Sequence, residues 1–179
     1  MTFLYIVIIL FLLYLSYTFL ILPYLVNKKM LDLFKTLTNK YHYKQIKKAL
    51  YHYTLENQEI KYLINVCIIP SNSTVTINSK DTWSLTWGGN PKNKGRAYHK
   101  QRYLTELTPF LQKDYANEKK VIKLIILYPH TENILRYLNE SELDIVKAKD
   151  SPYGYKVTTY KNFLSDLEVF SGGQNEKNI

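Results

Sequence analysis

Between residues 91 and 105 the chain carries Lys92, Lys94, Arg96, Lys100 and Arg102 with no acid among them. Tyr98, His99 and Tyr103 interleave with these cations, and Trp87 precedes them. Cations at this density suit phosphate contact, and aromatic faces among them suit base stacking. Lys92, Lys94, Arg96, His99, Lys100 and Arg102 are therefore the candidate nucleic-acid-binding residues, with a solvated charged face as the plainer alternative. His99 could also move a proton near neutral pH, although a histidine beside Tyr and Lys is more often a polar surface residue. A second basic run, residues 28–50, sets seven lysines against Asp32 alone. Because it follows an apolar segment directly, attraction to anionic lipid explains it equally well.

Other chemistries are excluded by what the chain does not contain. There is no Gly-rich phosphate loop, no nucleophile elbow and no zinc-type Cys/His set. The single cysteine, Cys67, cannot form an intramolecular disulfide, and among Val66, Ile68 and Ile69 it reads as a small buried hydrophobe. The net charge of +9 lies entirely beyond residue 27.

The elements that must position these residues start with an anchor. Residues 2–26 contain no Asp, Glu, Lys, Arg or His, which is long enough for one transmembrane helix. Tyr5, Tyr14, Tyr17 and Tyr24 suit the headgroup level, and Asn27-Lys28-Lys29 is a basic stop. A cleaved signal peptide fits less well, lacking a basic start and a small-x-small cleavage site. The positive-inside bias assigns the C-terminal part to the cytoplasm, giving a single-pass membrane protein. Met30, Leu33, Phe34, Leu37, Tyr41, Ile46 and Leu50 then recur at helical spacing, predicting a basic amphipathic juxtamembrane helix over residues 27–50.

Strands are expected at 62–69, 74–77 and 83–87, joined as an antiparallel meander across the Pro70-Ser71-Asn72-Ser73 turn. A helix follows at 97–112, with Pro109 in its last turn, then a central apolar strand at 121–128. A short helix or turn at 131–138, a strand at 143–147, a closing helix at 159–169 and a disordered tail at 171–179 complete the α/β reading.

The order α-β-β-β-α-β is the core order of the PD-(D/E)XK nuclease superfamily. Within it, Ile64-Asn65-Val66-Cys67-Ile68-Ile69, a turn, and Thr74-Val75-Thr76-Ile77-Asn78-Ser79-Lys80 resemble the nuclease-related domain, NERD. The 15-residue interval from Asn65 to Lys80 is similar to that family's Asp-to-Lys spacing, and Asn90-Pro91, Lys92-Asn93-Lys94 and His99 follow as in the family. The resemblance covers roughly residues 45–170. It implies a restriction-endonuclease-like sandwich, a NERD-like domain over residues 51–170, and a catalytic constellation at Asn65, Asn78, Lys80 and Asp81.

Such nucleases hold Mg²⁺ on carboxylates from adjacent strands, and a lysine supports the developing charge. Asn65 and Asn78 stand at those acidic positions, so the resemblance implies a fold without its catalyst. Asp81, aimed inward by a bulge, or Glu56 and Glu59 could restore acidity, but all three read more simply as turn or surface acids. No metal-ligand set and no cofactor is assigned, with Mg²⁺ implied only for an active enzyme. The leading reading is a membrane-anchored, inactive nuclease fold that binds nucleic acid (DNA or RNA) or a protein partner. An active Mg²⁺-dependent DNA nuclease and a lipid-reading membrane scaffold are the alternatives. If the anchor is right, alkaline carbonate should leave the full chain in the membrane pellet; release into the supernatant would count against it.

Overall fold

The computed structural model describes residues 2–46, 50–88, 100–115, 120–139 and 142–172. It divides into two units, Met1–His42 and Tyr43–Ile179. In the first unit, α1 (Thr2–Ser16), a π-helical turn (Tyr17–Ile21) and α2 (Leu22–Lys35) run on without interruption. The stretch Phe3–Lys35 is 33 residues, about 50 Å at helical rise, and is long and apolar enough to cross a membrane. The π turn sits just before Pro23, whose ring and missing N–H disturb a regular α ladder. Thr18, inside that turn, donates its hydroxyl to the Tyr14 and Leu15 carbonyls at 3.0 and 3.1 Å.

The helix predicted over 27–50 ends at Lys35 and gives way to turns at 36–40 and to β1 (His42–Gln45). The hydroxyls of Thr36 and Thr38 donate to the carbonyls of Leu33 and Lys35. These bonds satisfy the terminal carbonyls locally, and the alternating aromatics Tyr41 and Tyr43 favour extended chain beyond.

The second unit adds β2 (Tyr53–Glu56), β3 (Ile60–Ile68), β4 (Ser73–Ile77), β5 (Trp83–Trp87) and β6 (Lys100–Tyr103). After these come α3 (Thr108–Gln112), β7 (Lys120–Tyr128), β8 (Asn133–Asn139), β9 (Glu142–Ile145), β10 (Lys156–Thr159) and α4 (Phe163–Gly172). The strands form two five-stranded sheets, ordered β1-β2-β3-β7-β10 and β6-β5-β4-β8-β9. In the first sheet β7 runs parallel to both β3 and β10. In the second, β4 is parallel to β8, while the β4–β5, β5–β6 and β8–β9 pairs are antiparallel.

The expected meander of three strands is therefore not formed, because β3 and β4 belong to different sheets. The hydrophobic pattern explains the split. β3 is apolar on both faces and needs cover on both, whereas β4 alternates buried Val75 and Ile77 with half-buried Thr74 and Thr76. At Pro70 the chain passes from the first sheet to the second, and it passes again between β7 and β8. There the Thr131 hydroxyl and the Glu132 N–H both donate to the Ser73 carbonyl.

Three other expectations change. Residues 100–103 of the predicted helix are strand β6, and Pro109 lies in the first turn of α3, where its missing N–H costs nothing. The short helix or turn expected at 131–138 is strand β8, paired in parallel with β4. The closing helix starts only at Phe163, because Lys156–Thr159 extend the first sheet as β10. Ser171 and Gly172 still belong to α4, and the remainder of the expected tail, residues 173–179, lies outside the described residues.

Leu63, Cys67, Ile125, Leu127 and Val157 of the first sheet pack with Val75, Ile77, Trp83 and Leu85 of the second. Phe110 and Leu111 of α3 close one side of this core. On the opposite face of the first sheet, Tyr62, Ile64, Leu124 and Ile126 are also fully buried. α4, with Phe163, Leu167 and Phe170 buried, packs beside β10. Cys67 sits inside this core, and burial, reinforced by Glu106, pushes its thiol pKa up to about 12. It should resist a thiol reagent at pH 8 in the native protein and react fully after denaturation; rapid native labelling would contradict this packing.

Candidate functional site

Asn78, Lys80 and Asp81 share the turn between β4 and β5. Its backbone closes through Asn78 N–H and Ser79 N–H, both donating to the Thr82 carbonyl at 3.0 and 3.1 Å. Ser79 donates its hydroxyl to Asp81 Oδ1 at 3.1 Å, and Gln112 of α3 donates Nε2–H to Asp81 Oδ2 at 2.9 Å. Thr108 adds a bond to the Asp81 carbonyl at 3.2 Å. Asp81 thus fastens α3 to the turn. The Gln112 bond first, then that from Ser79, holds its carboxyl below the usual range, so the group is ionised at neutral pH. Asn78 donates Nδ2–H to Ser84 Oγ at 3.2 Å, and Lys80 is exposed.

Asn65 is placed elsewhere. It is buried on β3, in the other sheet, and donates Nδ2–H to the Leu50 carbonyl at 2.8 Å. The next residue, Val66, donates its N–H to His52 Nδ1 at 2.9 Å. Both bonds tie the chain before β2 onto β3. The imidazole keeps an exposed edge, but partial burial lowers its pKa and favours the neutral ring that accepts this bond.

The structure therefore brings Asn78, Lys80 and Asp81 together on one turn and places Asn65 on the other sheet. The pair of neighbouring strands on which the implied metal site depends is not present. Glu56 faces Lys61 at 3.8 Å, Asp32 pairs with Lys35 within α2, and Glu59 is exposed. Among the described residues, no group of three or more His, Cys, Asp or Glu side chains could hold a metal ion.

Beside the turn is an open cleft of about 250 Å³, lined by Asp81, Trp83, Tyr103, Thr105, Thr108 and Gln112. Its polar groups are a carboxylate already engaged on both oxygens, hydroxyls and an amide. This set can bind by hydrogen bonding.

Lys123 was hidden in the sequence inside the apolar run of β7. Its alternation with Ile125 and Leu127 turns it toward the space between the sheets. Nζ donates to the Leu111 carbonyl at 2.6 Å and lies 5.3 Å from the Tyr155 ring centre, 5.6 Å from Tyr115 and 6.0 Å from Phe110. Burial lowers its pKa, Asp114 opposes that shift, and Lys80 adds to it. Tyr155 donates its hydroxyl to the same Leu111 carbonyl at 3.0 Å, and burial with Asp81 and Asp114 raises its pKa. Lys80, Asp81, Asp114, Lys123 and Tyr155 therefore form one electrostatic cluster at the end of the sandwich. The only sequence signal for Lys123 is a cation interrupting a strand that is otherwise apolar.

Of the basic stretch, Lys100 and Arg102 are placed on β6, with Arg102 held by Glu106 through bonds of 2.8 and 3.0 Å. Lys92, Lys94, Arg96 and His99 lie outside the described residues.

The cluster predicts a structural rather than catalytic role for its lysine. Lys123→Ala should lower unfolding free energy by about 1–3 kcal/mol, through lost cation–ring contact and a lost bond at Leu111. Denaturant titration of the full chain in detergent would read this, and unchanged stability would refute the role. Compared with known proteins, the chain matches no family model, no curated protein and no solved structure.

Proposed function

We propose that the protein is a membrane-anchored, non-catalytic binding module that engages an anionic partner along the β6 edge. The observation that carries this reading is the strand itself. Among the described residues β6 ends the second sheet, all its residues are exposed, and Lys100 and Arg102 share one face while Tyr103 lies on the other. An edge strand offers unpaired backbone groups as well as its charges. The basic sequence from Lys92 to Arg96 extends the same character, and Lys28 and Lys29 favour the cytoplasmic side for the globular unit. The resemblance to NERD belongs to this reading as a degenerate, restriction-endonuclease-like domain that keeps a polyanion-facing surface without its acids.

One observation favours an active nuclease as the second reading. Asp81 is ionised, shares its turn with Lys80 and borders an open cleft.

The two readings separate in one experiment on the full chain in detergent, using labelled single- and double-stranded DNA and RNA with Mg²⁺, Mn²⁺ or chelator. The expected result is intact nucleic acid in a retarded complex whose affinity falls steeply with salt and weakens in Lys100→Ala. Binding indifferent to salt or to Lys100→Ala would overturn the β6 reading. Metal-dependent cutting abolished by Asp81→Ala would establish the nuclease.

A further inference from the structure

Among the described residues the second sheet ends in two short strands of opposite charge. β6 is Lys100-Gln101-Arg102-Tyr103 and β9 is Glu142-Leu143-Asp144-Ile145, and every residue of both is exposed. Cross-strand register fixes which way their side chains face. Trp87 is opposite Lys100 and Leu85 is opposite Arg102, so both cations lie on the face that Leu85 turns toward the core. Ile77 is opposite Arg136, and Arg136 is opposite Asp144, which puts Asp144 on that same face, with Glu142 two residues before it. On the outer face, Tyr103, Leu143 and Ile145 are 57%, 53% and 55% exposed.

Strand polarity completes the match. β6 runs in the direction of β4 and β8, while β9 runs against them. A second copy that continues the sheet in the same orientation therefore lays its β9 antiparallel to β6, inner face on inner face. We propose that β6 also takes the β9 edge of a second copy of this chain, joined by antiparallel strand addition. This rests on the reading of β6 as a dock for an anionic partner and adds an acidic protein edge to what that dock accepts.

In the register that pairs both charges, Lys100 is opposite Asp144, Gln101 is opposite Leu143 and Arg102 is opposite Glu142. Tyr103 then lies diagonal to Leu143, within reach of an aromatic contact. The same charges exclude the wrong pairings. Two β6 edges would set cations against cations and two β9 edges acids against acids, and like charges directly opposite are destabilising. Each copy bearing one edge of each kind associates head to tail, leaving both ends of the row open. Arg102 also holds Glu106, so Lys100 and Asp144 are the pair to reverse.

The experiment uses the full chain in lipid vesicles, with Gln101→Cys and Leu143→Cys together and a short bifunctional maleimide. Cys67 is buried and gives little native background. A ladder of dimers, trimers and higher species is expected, and a single monomer band would overturn the proposal. On that background Lys100→Glu alone and Asp144→Lys alone should each lose most of the ladder. Mixing the two variants should restore it, since each then meets an edge of opposite charge, a recovery that an unfolded variant could not show. A ladder unchanged by either reversal, or absent from the mixture, would also overturn it. Persisting salt-sensitive nucleic-acid binding without a ladder would remove the self-association and leave the anionic-partner reading standing; loss of both would remove both.

Discussion

Leu124, Ile125, Ile126 and Leu127 are all fully buried, and a strand with no solvent face must be covered twice. That constraint on β7 organises the rest of the globular unit. Parallel β3 and β10 flank it within the sheet, and β3 brings the same two-faced apolar character. One face of this pair meets the second sheet through Val75, Ile77, Trp83 and Leu85. Burial of each such side chain is worth about 1.5–3 kcal/mol, far more than any surface ion pair in the molecule. The four passages between sheets, from β3 to β4 at Pro70, from β6 to β7, from β7 to β8 and from β9 to β10, are the consequence. A strand covered on both faces cannot share its sheet with a half-solvated neighbour such as β4 without wasting the cover.

The polar chemistry is arranged around that core and serves to close it. Asp81 holds α3 against the β4–β5 turn, Lys123 fills the end of the space between the sheets among three aromatic rings, and Tyr155 shares its carbonyl partner at Leu111. Asn65 ties down the chain before β2. These groups spend their hydrogen-bonding capacity on the fold. A carboxylate engaged on both oxygens and an amide bound to a backbone carbonyl have little left for a metal or a phosphodiester. On β6 and β9, the outermost strands of the second sheet among the described residues, every charged side chain is exposed.

The elements that were legible in the sequence are those whose pattern is dictated locally. The apolar run before Lys28 fixes a helix of membrane-spanning length whatever surrounds it, because its backbone bonds are internal. The runs at Tyr62–Ile69, Thr74–Ile77, Trp83–Trp87 and Val121–Tyr128 all proved to be strands, since β-branched and aromatic residues bounded by turn signals leave few alternatives. The contrast between continuous and alternating apolar pattern already distinguished β3 from β4, although sequence proximity suggested that they pair.

Sequence by itself determined the anchor-length helix, the main strands, the inertness expected of Cys67 and the concentration of charge between residues 91 and 105. Tertiary structure alone decided which strands are neighbours, because pairing depends on which apolar faces remain to be covered once β7 is enclosed. It also decided that Lys100–Tyr103 and Asn133–Asn139 are strands. Both segments have weak local preference and take the conformation of the edge they extend. The same holds for the site. Asn78, Lys80 and Asp81 are close because a turn makes them so, whereas placing Asn65 on the other sheet and recruiting Lys123, Gln112 and Tyr155 required contacts between segments far apart in the chain, which no local pattern encodes.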